Sequence, residues 1–183
     1  MRTINKKDLQ AEFQFFNTEI YNSKPIYITS EKYFEGGVYI GAPFKEKIEF
    51  YLLANKMSGI LKELFAKEKI YIADFLCENS TMYFKWKDSK NHEIFRVMNN
   101  LYKKGKCYEL TVAEDADTID LIIESNFRYF SNISFFMPKY NLIIQPTMHT
   151  EILVYSLAET EKIFNSLKQI SSKYPEIEVK LIN

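Results

Sequence analysis

The sequence predicts an α+β fold: a single compact domain over 1–183, with mixed, mostly antiparallel sheet(s) packed by about four or five helices. Three observations predict it. Apolar residues recur at helical spacing in some stretches and at every second position in others. Strand-like runs follow one another across short turns, which favours antiparallel pairing, while helical stretches interrupt them too often for a sandwich. Gly and Pro number only five each, so no linker divides the chain, and a sub-boundary near 105–107 is the one alternative. At 183 residues the chain is long enough to bury a core without disulfide or metal staples.

Each element has its own reason. Leu9, Phe13, Phe16 and Ile20 form one helical stripe. IYITS at 26–30 reads as a strand after Pro25, and Gly36-Gly37 as a hairpin turn between KYF and VYI. Residues 44–67 are the longest helical stretch. Phe44, Ile48 and Leu52 begin one stripe, and Leu53, Met57, Ile60, Leu61, Leu64 and Phe65 continue a shifted one. Asn55 and Gly59 mark a kink or a break into two helices. KIYIADFL reads as a buried strand and TMYFKWK as a strand with one wet face. Asp88 or Ser89 caps the next helix, whose core face is Ile94, Val97, Met98 and Leu101, and Gly105 ends it. CYELTV is a strand and DTIDLIIESN a short helix. NISFFM, YNLIIQ and EILVYS follow as three strands. Ser156 and Glu159 have the spacing of a capping box, opening a helix with Leu157, Phe164, Leu167 and Ile170 on its stripe. IEVKLI closes the chain as a strand alternating Ile177, Val179 and Leu181.

Charge narrows the function. Basic and acidic side chains number 24 each, so no global field draws the chain to nucleic acid or anionic lipid. Only three of the basic residues, Arg2, Arg96 and Arg128, carry the guanidinium suited to phosphate and guanine. Nucleic-acid binding through Lys85, Lys87, Lys103, Lys104 and Lys106 is therefore the weakest reading. The wealth of Lys, Asn, Ile, Tyr and Phe fits an AT-rich coding genome and a microbial or phage origin. Cys77 and Cys107 form neither a disulfide framework nor a zinc motif. No apolar segment resembles a signal peptide or a membrane span, so a cytoplasmic protein is expected.

Two constellations carry candidate chemistry. Glu114, Asp115, Asp117, Asp120 and Glu124 fall in one segment without a base. Asp117, Asp120 and Glu124 share a helical face, which suits a partner with a basic surface. Acids near a helix start also complement its dipole, but Glu124 lies too late for that. His149, with Glu151 beside it, is the other candidate, as the centre of a small enzyme or a nucleotide- or metal-ligand site. No H-x-x-x-H or H-E-x-x-H spacing supports it, and a polar turn residue before a strand is the simpler account. GGVYIGAP lacks both the Walker and the dinucleotide glycine patterns. No catalytic residue, cofactor or metal is expected. The sequence favours a protein-binding, inhibitor-type chain of the immunity or anti-defence class, using an aromatic surface and the acidic helix.

Overall fold

A computed structural model of the chain describes residues 2–4, 23–31, 44–65, 70–74, 110–113, 116–127, 133–137, 140–147, 149–156 and 159–181. Among the described residues eight strands form one sheet: β1 (Arg2–Ile4), β2 (Ile26–Ser30), β3 (Ile70–Asp74), β4 (Leu110–Ala113), β5 (Ile133–Met137), β6 (Leu142–Pro146), β7 (Ile152–Ser156) and β8 (Ile177–Leu181). Their spatial order is β1-β4-β3-β5-β6-β7-β2-β8. The helices are α1 (Phe44–Phe65), α2 (Ala116–Phe127) and α3 (Thr160–Ser171).

This corrects the expected fold class in both its parts. Among the described residues there is one sheet, antiparallel at every pairing, and it is covered by three helices, not four or five. The stretches expected as helices at 9–20 and 88–104 lie outside the described residues, as do the Gly36-Gly37 hairpin and TMYFKWK. The absence of parallel pairs among these strands has a topological cause. A helical crossover ordinarily joins two parallel strands. Here α2 links β4 to β5, and α3 links β7 to β8, but a further strand sits inside each pair. Strand β3 separates β4 from β5, and β2 separates β7 from β8. Each crossover is thus a split β-α-β unit, and every neighbour is antiparallel.

The β5-β6-β7 meander is the local centre of the sheet. Phe135 pairs with Ile144, and Ile144 with Val154. Asn141, with φ of 53°, takes the left-handed position in the β5–β6 turn, a conformation asparagine tolerates better than most residues. Strand β2 extends this register, setting Ile26 against Val154 on one side and Leu181 on the other.

One face of the sheet and the inner faces of the helices make the core. Ile26, Ile28, Phe135, Ile144, Ile152 and Val154 come from the strands. Phe50, Met57, Ile60 and Leu61 come from α1, Ile122, Ile123 and Phe127 from α2, and Ile163 and Leu167 from α3. Helix α1 runs unbroken through Asn55 and Gly59, as one helix and not two. Tyr174 explains why glycine suits position 59: a Cβ there would lie 3.0 Å from the Tyr174 hydroxyl. The start of α3 also differs from expectation. Ser156 ends β7, where it pairs with Leu142, and Glu159 stands at the cap with φ of 55° and no side-chain capping bond. The strand ladder takes the serine that the capping-box spacing had assigned to the helix.

The opposite face of the sheet is partly apolar as well. Phe136 and Ile143 pair there and are buried, and Tyr155 pairs with Ile143. Burial, followed by the neighbouring Tyr27, pushes the Tyr155 hydroxyl above its ordinary pKa of 10.0, so it remains a proton donor at neutral pH. Ser134 lies on this same face, fully buried, and its Oγ has no hydrogen-bond partner among the described residues. A buried unsatisfied hydroxyl costs about 1–3 kcal/mol. Ser134→Ala is therefore expected to leave stability unchanged or raise it by up to about 1 kcal/mol, measured by urea denaturation. A loss of more than that would show that the hydroxyl is satisfied.

Candidate functional site

Helix α1 lies between the other two helices and is fastened to both flanks. On the α2 side, Ser58 Oγ and Lys62 Nζ each donate to the Asp120 carboxylate. On the other side, Lys56 Nζ donates to Glu176, and Lys173 Nζ donates to both Glu63 oxygens at 2.6 Å. Tyr174 rests beside Gly59 between these two ion pairs. The pairs are partly exposed, so each contributes at most about 1 kcal/mol. Together they fix how α1 is turned about its axis.

That orientation leaves one stretch of α1 uncovered. Ile48 is 43% exposed, Tyr51 38% and Leu52 53%, while Phe50, Leu53, Ala54 and Met57 are buried. Spacings of three and four place the three exposed residues on one helical face. Isolated apolar side chains on a surface need no account, but three large ones within a single turn form a patch. Ile48 and Leu52, from the first of the two stripes, thus turn outward, while the shifted stripe from Leu53 onward faces the core. The signal was present in the shift of stripe. At 100° per residue, Ile48 and Leu53 lie about 140° apart, so an unbroken helix cannot bury both against one core.

The predicted acidic site is only partly described. Glu114 and Asp115 lie outside the described residues, and Asp117 and Glu124 occupy α2 one turn to either side of Asp120. Asp120 is engaged within the chain by Ser58 and Lys62, so this carboxylate joins α1 to α2.

His149 sits in the β6–β7 connection, half-buried. Its backbone N–H donates to Thr147 Oγ1 at 3.2 Å, and its carbonyl accepts from Thr150 Oγ1 at 2.6 Å. Thr147 N–H closes the loop on the Glu151 carbonyl at 2.7 Å, and Thr150 takes a left-handed φ of 54°. Asn126, near the end of α2, donates to the Pro146 carbonyl at 3.0 Å and so anchors this loop to the helix. Asp120 lies six residues earlier, or about 9 Å back along the α2 axis. The described residues contain no cluster of three or more His, Cys, Asp or Glu side chains able to hold a metal ion. His149 and Glu151 are neighbours in a loop shaped by threonine hydroxyls and backbone bonds.

No helix among the described residues is long and apolar enough to cross a membrane. Comparison with known proteins finds no matching family, no matching characterised protein and no matching solved structure.

Proposed function

We propose that this chain is a protein-binding protein of the inhibitor type, in the immunity or anti-defence class, acting by contact and not by catalysis. The observation that carries the reading is the exposed patch of Ile48, Tyr51 and Leu52 on α1. Interface energy concentrates in a few aromatic and apolar anchors at the centre of a contact, with polar groups around them. Tyr51 supplies the aromatic anchor. Helix α2, bearing Asp117 and Glu124, packs alongside α1. In this reading the partner offers an apolar pocket and a basic surface, the latter inferred from the acidic residues that α2 carries in its sequence. Asp120 has a different role in this reading, that of holding the two helices in register.

The test is affinity capture from an extract of the source cells, followed by mass spectrometry. The native chain is expected to recover a basic partner. Ile48→Ser with Leu52→Ser should lower recovery at least ~10-fold, the loss of about 1.4 kcal/mol expected when anchors are removed. Asp117→Lys with Glu124→Lys should lower it in a salt-dependent way. Undiminished recovery by both variants, each with an unchanged melting temperature, would exclude this surface.

A further inference from the structure

Among the described residues β8 is the last strand of the sheet on its side, pairing with β2 and with no other neighbour. An edge strand presents unpaired backbone groups that template another strand unless something blocks them. The pattern on β8 favours pairing with a particular occupant. Ile177 N–H donates to the Tyr174 carbonyl at 2.9 Å, outside the sheet ladder. Backbone groups of alternate residues in an antiparallel ladder point to the same side. Val179 and Leu181 therefore direct their N–H and C=O groups away from β2, and Glu178 and Lys180 direct theirs toward it.

We infer that β8 is a homodimerisation edge, pairing antiparallel with β8 of a second copy about a two-fold axis at Val179. In that register Val179 exchanges both backbone bonds with the partner's Val179. Leu181 N–H reaches the partner's Ile177 carbonyl, and the symmetric bond repeats it. Ile177 needs no new acceptor, because Tyr174 already satisfies its N–H. The side chains support the same pairing. Glu178 and Lys180, ion-paired with each other on one face of β8, come opposite the partner's Lys180 and Glu178. Two like charges at these positions would repel under two-fold symmetry, whereas one of each sign is self-complementary. Leu181, 38% exposed at the end of the Val154–Ile26–Leu181 row, comes opposite the partner's Ile177. The surface lies on the sheet edge and is separate from the α1 patch.

The experiment is sedimentation equilibrium of the full chain over a concentration series, with circular dichroism confirming the fold of every variant. The native chain is expected to show a reversible monomer–dimer equilibrium. Glu178→Lys and Lys180→Glu should each raise the dimer Kd by ~10-fold, since each places like charges opposite one another twice. The double swap should restore the native Kd to within ~3-fold, a rescue that a disturbance of the monomer would not produce. Val179→Pro removes the outward N–H and should leave a folded monomer. A native chain that stays monomeric up to ~1 mM, where an interaction of about 4 kcal/mol would register, overturns the inference. So does a dimer indifferent to the two single charge variants.

Discussion

Phe127→Ala is expected to destabilise the fold by about 3–5 kcal/mol, a large share of the roughly 5–15 kcal/mol that ordinarily separates folded from unfolded states. Phe127 closes α2 and is fully buried. Its ring meets that of Phe50 edge-on, with centroids 6.4 Å apart and planes at 72°. Phe50 comes from the fully buried side of α1, so the pair joins two helices that are also linked by the partly exposed contact of Asp120 with Lys62. Truncation removes the transfer energy of the ring and leaves a cavity among Ile122, Ile123 and α1 residues already in close contact. For a chain of this size the melting temperature should fall by roughly 10 °C or more. A cycle with Phe50→Ala should show coupling of about 0.5–1.5 kcal/mol, the part due to ring geometry beyond burial. A single-variant loss below 1 kcal/mol, or additive losses, would mean that the two helices do not meet through these rings.

Sequence patterning located the elements that carry their signal locally. Strand-forming runs marked β2, β5 and β7, and the alternation of Ile177, Val179 and Leu181 marked β8, because these signals lie in the residues themselves. The stripe at Phe164, Leu167 and Ile170 marked α3 for the same reason. Strand β1 has three residues, too few for any period to show, and it exists because β4 offers it an edge. The insertion of β2 between β7 and β8 is a pairing across more than a hundred positions, and alternation says only that a strand exists, not where it goes. The contact of Asp120 with Ser58 was not legible for a comparable reason: the two residues lie 62 positions apart. The α1 patch was not legible because the sequence shows two stripes on one helical stretch without showing which of them meets the core. Surface apolar residues are common enough that only the rotation fixed by the Lys56, Lys62 and Lys173 pairs settles which stripe turns outward.

Asn126→Leu is expected to cost about 1–3 kcal/mol even though it adds apolar volume to a buried site. Asn126 is 1% exposed, and its side-chain amide donates to the Pro146 carbonyl. Leucine cannot make that bond, so the Pro146 carbonyl would lose a donor in a place where water cannot readily replace it. The effect should also be local. Pro146 is the last residue of β6, and the loop that follows is closed by the Thr147–Glu151 bond and holds His149. Releasing the anchor should speed amide exchange at Thr147 and the other amides of this loop more than in β2 or α3, since small openings need break only the contacts of one segment. Asn126→Asp separates packing from hydrogen bonding. It keeps the shape and replaces the donor with an acceptor facing a carbonyl oxygen, so it should cost at least as much as leucine near neutral pH and recover part of that loss when the carboxyl is protonated in acid. If both variants instead match the native chain in stability and loop exchange, the α2 end and the β6–β7 loop are held together by something other than this amide.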